Sequence, residues 1–66
     1  MFTVHFKVFD NLANTNKYGF IAENGKAVIN SERASKGWKT RQGAEKAASK
    51  IKFSERYSLI EMKIKG

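Results

Sequence analysis

The N-terminal stretch alternates between apolar and polar residues with a period of two. Between Phe2 and Phe9 the apolar side chains are separated by Thr3, His5 and Lys7. This period is typical of a β-strand with one buried side and one exposed side. Phe9 falls among the polar positions, so we expect that side of the strand to be partly covered.

A hairpin is predicted next. Residues 10–16 are rich in Asn and Asp and are typical of a loop, and residues 17–22 are predicted to form a second strand. Asn24 and Gly25 follow, a pair that tolerates positive φ at both central positions of a type I′ turn. We therefore predict such a turn, with residues 27–30 as a third, antiparallel strand.

One helix is predicted in the second half of the chain. Residues 31–39 show no periodicity and contain Gly37, which indicates a loop. Thr40 is a suitable N-cap, and a helix is predicted over residues 41–52. Its apolar residues follow the spacing i, i+3, i+4 and i+7. They are Ala44, Ala47, Ala48 and Ile51.

The last strand is predicted over residues 57–64, which alternate again. The expected faces are Ile60, Met62 and Ile64 on one side and Tyr57, Leu59 and Glu61 on the other. The fold class is α+β, in a single domain over residues 1–66: an antiparallel sheet of three to four strands, in the order β-β-β-α-β, with one helix packed on one face.

The helix stripe is mostly alanine and buries little area, so large sheet residues must supply most of the core. Phe6, Phe20 and Ile60 are the expected contributors. A core of this size is marginal, and the chain has no cysteine for disulfides or thiolate metal sites. The chain must therefore rely on well-packed hydrophobic side chains or on a second subunit, as in a homodimer. No apolar run could span a membrane and no secretory signal is visible, so we expect a cytoplasmic protein.

The charge favours polyanionic partners. Thirteen Lys and Arg stand against six Asp and Glu, a net charge of +7. The basic residues are concentrated in the segment 33–52, which has seven of them and only one acid, Glu45. Two interpretations stay open: association with nucleic acid, or a charge that only keeps a small protein in solution.

Catalysis is not expected. His5 is the only histidine and is predicted to lie on a strand surface, and the acids are scattered singly. A general base requires a partner group and a perturbed pKa, and neither is indicated. We predict no catalytic residues, no cofactor and no metal site.

The best candidate site surrounds Trp38. The ring could stack on a base while Lys39 and Arg41 contact phosphates, or it could fold back as a lid over the alanine-rich helix face. Lys46 and Lys50 could follow phosphates or simply be solvated. The predicted nucleic-acid-binding residues are Arg33, Lys36, Trp38, Lys39, Arg41, Lys46 and Lys50.

Stacking across the sheet is not favoured by the sequence. Tyr18 and Phe20 share one side of the second strand, and we expect both to belong to the core. The sheet motif typical of RNA-recognition domains is missing as well.

Two family resemblances can be stated. The stretches 18–31 and 37–51, with Ala-Glu-Asn-Gly between two strands and an Ala-rich helix start, resemble the small YegP-like bacterial domains. So does the Phe-Lys-Val-Phe-Asp segment at residues 6–10. This resemblance implies a three-stranded sheet with a helix, often paired as a tandem repeat or a dimer, and no established activity.

The second resemblance is shorter. Residues 37–47, GWKTRQGAEKA, look like the strand-to-helix passage of arm-type DNA-binding domains in phage and transposon integrases. Those domains place their sheet in the DNA major groove. The resemblance implies phosphate or base contacts from Lys7, Lys17, Lys26, Lys39 and Arg41.

Together these features predict a small basic protein that binds nucleic acid, DNA or RNA, through the basic loop and the helix start. The alternative is a protein-interaction module without catalytic activity. Such a module could be a phage- or plasmid-encoded inhibitor that docks on an acidic protein, or a dimeric accessory protein that pairs through a strand edge.

Overall fold

Four antiparallel strands and one helix form the part of the chain that the computed structural model describes, residues 1–29 and 37–66. The sheet order is β3-β2-β1-β4. This arrangement confirms the predicted α+β class and the predicted order of elements. The bounds are β1 Thr3–Asp10, β2 Thr15–Ile21, β3 Ala27–Ile29, α1 Arg41–Lys50 and β4 Tyr57–Lys65.

Strand β1 is central and has the predicted alternation. Val4, Phe6 and Val8 are buried on the face that α1 covers, and with Ile21 and Ala44 they form the core. The helix stripe is confirmed for three of its four residues: Ala44 is fully buried, and Ala48 and Ile51 pack against this cluster. Ala47 is partly exposed and does not belong to the residues that pack against it. The helix ends at Lys50, two residues earlier than predicted, because Ile51 has extended backbone angles.

Strand β1 continues through Asp10, which the sequence had assigned to a loop. Asp10 follows the same alternation as Val8 and is fully buried on the helix side of the sheet. Burying a carboxylate is costly unless it is paired with cations and hydrogen-bond donors. The partners come from two other parts of the chain, and the strand can therefore extend to this residue.

The partners of Asp10 form a closed network. Arg56 donates from Nε to Oδ1 at 3.1 Å and from Nη2 to Oδ2 at 3.0 Å, and Lys17 Nζ lies 3.1 Å from Oδ2. The backbone N–H groups of Leu12 and Ala13 also donate to Oδ1. The Arg56 guanidinium holds the pKa of Asp10 well below its usual range. The network joins the β1–β2 turn to the turn before β4.

The hairpin between β2 and β3 is present, but the predicted turn type is wrong. Of the two central residues only Gly25 has positive φ, at 83°, whereas a type I′ turn needs it at both. The loop is longer: the Ala22 N–H donates to the Lys26 carbonyl, and the Lys26 N–H donates to Asn24 Oδ1. Asn24 thus supports the turn through its side chain.

A β-bulge in β4 overturns part of the predicted core. Lys7 pairs with Glu61 and Val8 with Leu59, so Ile60 is skipped in the pairing with β1. Ile60 is consequently half exposed and is not a core residue, contrary to prediction. The same shift in alternation turns Tyr57 toward the core.

Phe20 is buried as predicted, but on the other face of the sheet. It pairs with His5 and Val28, and His5 alternates with the residues that face α1. Phe20 is accordingly not part of the core cluster around Ala44. The edge-on contact between Phe6 and Phe53, with centroids 4.9 Å apart, fills part of the helix-side core instead.

The N-cap of α1 is the predicted one. The Thr40 hydroxyl accepts a hydrogen bond from the Gly43 N–H at 3.1 Å. We expect Thr40→Ala to lower the free energy of unfolding by about 1 kcal/mol, whereas Thr40→Ser should retain it. Urea denaturation followed by tryptophan fluorescence measures both. An alanine variant as stable as the serine variant would show that this cap contributes nothing.

Candidate nucleic-acid interface

The segment that carries Trp38 is attached to the start of the sheet. The Phe2 N–H donates to the Trp38 carbonyl at 2.7 Å, and the Trp38 N–H donates to the Phe2 carbonyl at 2.6 Å. Gly37 precedes this bridge with φ of 76°, a value that L side chains rarely adopt. The backbone of Trp38 is therefore fixed relative to β1.

The position of the Trp38 side chain is compatible with both proposed roles, a lid over the helix and a contact for a ligand. It is partly buried, packs against the core and lies beside Gly43 in the first turn of α1. The ring therefore covers part of the helix, as a lid would. It also lines an open groove, so part of it can meet a ligand.

We call this depression the helix-side groove; its volume is about 360 Å³. One wall is α1, the other is the β2–β3 turn, and Trp38 lies between them. Lys46 and Lys50, one helical turn apart, present their side chains to it. Among the residues that the structure describes, the lining is Glu23, Asn24, Gly25, Trp38, Gly43, Lys46, Ala47 and Lys50.

Other predicted site residues lie outside this groove. Lys39 is exposed, and Arg41 is exposed with Nε 3.2 Å from Glu45 Oε1, one turn along the helix. An exposed pair of this kind contributes little and is easily exchanged for another anion. Arg33 and Lys36 lie outside the described residues. The structure thus brings Trp38, Lys46 and Lys50 together, and Glu23 is the acid that lines the groove within residues 1–29 and 37–66.

The three sheet lysines implied by the integrase resemblance lie in different parts of the structure and do not form one surface. Lys17 faces the helix side and is held by Asp10, with a side chain only 19% exposed, so it is not available to a ligand. Lys26 is exposed in the β2–β3 turn. Lys7 lies on the opposite face of the sheet.

That opposite face, which we call the outer sheet face, carries a second group of cations. Lys7, Lys63 and Lys65 surround a groove of about 300 Å³ together with Tyr18, His5 and Glu61. The prediction that Tyr18 belongs to the core is wrong. Its side chain is 52% exposed, because Tyr18 pairs with Lys7 on the side of the sheet away from α1. The described strand residues on this face are Thr3, His5, Lys7, Phe9, Asn16, Tyr18, Phe20, Val28, Ser58, Glu61, Lys63 and Lys65.

The sequence contained a signal for this second surface. Lys63 and Lys65 alternate with Met62 and Ile64, which places both lysines on one face of β4. Their position next to Lys7 depends on the pairing of β1 with β4, which the sequence did not specify.

The electrostatics of the outer sheet face are positive at neutral pH. Lys63 Nζ lies 2.9 Å from Glu61 Oε1, and this hydrogen bond lowers the pKa of Glu61 and raises the pKa of Lys63. Partial burial, and then the charge of Lys65, lowers the pKa of His5. Both effects favour the neutral imidazole, and the ring is hydrogen-bonded to Thr3 Oγ1 at 2.8 Å.

Residues 1–29 and 37–66 contain no group of three or more His, Asp or Glu side chains placed to hold a metal ion. Within the same residues, no helix has the length and apolar character needed to cross a bilayer.

Comparison of the chain with protein-family models, with curated proteins and with solved structures found no match.

Proposed function

We propose that the protein binds nucleic acid, DNA or RNA, through the helix-side groove and the adjoining start of α1. The observation that supports this most is the meeting of Trp38, Lys46 and Lys50 along one open groove. Two cations next to an aromatic edge suit a phosphate–sugar backbone, because ammonium groups neutralise phosphates and the ring contacts a sugar or a base.

Binding is mainly electrostatic under this proposal. Lys46 and Lys50 repel each other weakly across one helical turn, and an anion between them relieves that repulsion. Arg41 exchanges Glu45 for a phosphate, and Lys39 adds charge beside it. Such contacts position a nucleic acid without reading bases, so sequence preference is modest. The proposal involves no catalytic step and places the protein in the cytoplasm.

Neutralising the groove is the test. We expect the double variant Lys46→Gln, Lys50→Gln to weaken binding and to reduce the slope of log affinity against log salt by about 2, since each phosphate contact contributes about 0.9. Fluorescence anisotropy with labelled random-sequence nucleic acid at several salt concentrations measures this slope.

The matched control is Lys52→Gln, compared with Lys50→Gln. Both remove one exposed lysine from the same part of the chain, but Lys52 does not line the helix-side groove. If the groove is the site, Lys50→Gln lowers the salt slope and Lys52→Gln leaves it near that of the wild type. Equal slopes for the two variants would mean that net charge, not the groove, determines binding.

A protein-interaction module is the second candidate, favoured by the exposed edge of β4. Leu59 and Ile60 are both half exposed there, next to the bulge. An edge strand with apolar side chains can pair with a strand of an acidic partner or of a second copy of this chain. Light scattering tests the homodimer, and a pull-down after nuclease treatment tests the acidic partner.

A further inference from the structure

Tyr18 is the most exposed aromatic side chain on the outer sheet face, where Phe9 is only partly exposed. Tyr18 is 52% exposed, whereas Phe20, on the same face, is 7% exposed. The Lys7 ammonium lies 5.6 Å from the centroid of the Tyr18 ring. Lys7 is a long, flexible side chain, so it can leave the ring to another planar group and keep its charge close by.

The cations around this ring come from two neighbouring strands. Lys7 is on β1, and Lys63 and Lys65 are on β4, with Lys63 opposite His5 and Lys65 opposite Thr3. They border the same groove as Tyr18. Glu61 is the acid of that groove and is held by Lys63. Within the described part of the chain, three lysines and one acid border this groove, so the rim around the half-exposed ring is positive.

We propose that the outer sheet face is a second binding surface, specific for single-stranded nucleic acid. Tyr18 stacks on one base, and Lys7, Lys63 and Lys65 contact the flanking phosphates. This proposal adds a second set of binding residues. It rests on the proposed function only in assuming that the ligand is a nucleic acid.

A single strand suits this surface better than a duplex. Stacking requires a base whose flat face is accessible, and the bases of a duplex are already stacked on each other. Tyr18 is half exposed and projects from the sheet into an open groove, so an unpaired base can lie on its ring while the backbone of the strand crosses the lysines. Tyr18 would contribute to single-strand binding and not to duplex binding.

The experiment compares a labelled oligothymidylate with a duplex of the same length, by fluorescence anisotropy at one salt concentration. We expect Tyr18→Leu to weaken binding of the oligothymidylate about tenfold and to leave duplex binding unchanged. Tyr18→Phe keeps the stacking ring and should bind both as the wild type does. Tyr18→Leu with wild-type affinity for the single strand would overturn the inference.

A second variant covers the case in which Tyr18→Leu does not fold, which circular dichroism would reveal. The double variant Lys63→Gln, Lys65→Gln alters two exposed side chains of an edge strand. It should weaken binding of the single strand more than binding of the duplex. An equal effect on both ligands would overturn the inference.

Failure of the two proposals can be told apart. Suppose that the double variant Lys46→Gln, Lys50→Gln weakens binding of both ligands, while neither Tyr18→Leu nor the β4 variant (Lys63→Gln, Lys65→Gln) weakens single-strand binding selectively. The helix-side groove is then the only one of the two proposed sites that is supported. If only Tyr18→Leu and the β4 variant act, the outer sheet face is the site and the helix-side groove is not. If the wild-type protein binds neither ligand, both proposals are wrong.

Discussion

Asp10→Asn should lower the melting temperature by roughly 10 °C or more, since loss of a buried charge network is among the most damaging single changes. Asp10 is fully buried and accepts from Arg56, Lys17 and two backbone N–H groups. Asparagine has nearly the same shape but turns an NH₂ group toward the cations that Asp10 neutralises. Calorimetry or thermal circular dichroism measures the change.

The matched control is Glu55→Gln, which also replaces a carboxylate by its amide. Glu55 is exposed in the turn before β4, and the Asn11 side chain bonds to its backbone carbonyl, which the substitution leaves in place. We expect little change in melting temperature. If the two variants had the same melting temperature, the Asp10 network would not be a main source of stability.

The acid dependence of stability provides a second readout on Asp10. Its folded-state pKa is depressed, so its contribution is complete above the unfolded-state pKa of about 4 and is lost as pH falls below that value. The wild type should lose stability steeply through this acid range. Asp10→Asn should lose less, with a remaining slope from Glu61, whose pKa is also lowered.

Gly37→Ala should detach Trp38 and lower the free energy of unfolding by about 3 kcal/mol. The residue has positive φ, and a Cβ there would overlap the Phe2 carbonyl oxygen, which accepts the Trp38 N–H. Trp38 is the only tryptophan, so its fluorescence reports on this position alone. We expect red-shifted emission and weaker nucleic-acid binding.

Gly25→Ala is the comparison for this variant. Gly25 also has positive φ, but an added Cβ meets nothing within 4 Å. It should cost about 1 kcal/mol from backbone strain alone and leave the Trp38 emission unchanged. An unchanged emission in Gly37→Ala as well would show that the Phe2–Trp38 bridge does not hold the ring in place.

Local patterns predicted most of the fold, because they report on burial along one element. The alternation around Val4, Phe6 and Val8 and the stripe at Ala44 and Ala48 both record which side faces the core. The errors arose where the pairing between two elements determines which residues are buried. The bulge that exposes Ile60 depends on how β4 registers against β1, and no periodicity within β4 contains that information.

Asp10 and Tyr18 show the same limit. An aspartate followed by asparagines is typical of a loop, and only the approach of Arg56 and Lys17 makes its burial favourable. Tyr18 has the side chain of a core residue, but its register opposite Lys7 places it on the face without the helix. Both outcomes depend on contacts between segments distant in the sequence.

The candidate site was predicted in part. Trp38 was named for its aromatic ring, and Lys46 and Lys50 for their charge and helical spacing. The structure places the three along one groove. The ion pair between Arg41 and Glu45 was not predicted, although the two residues are four apart on the helix. The outer sheet face was missed, since its lysines come from both ends of the chain and meet only through the sheet order β3-β2-β1-β4.

The most direct test of nucleic-acid binding is a titration of the wild-type protein with random-sequence nucleic acid over a range of ionic strength. The account predicts measurable binding at low salt and a logarithm of affinity that falls linearly with the logarithm of salt concentration. Absence of binding at the lowest salt, or an affinity that does not change with salt, would contradict it.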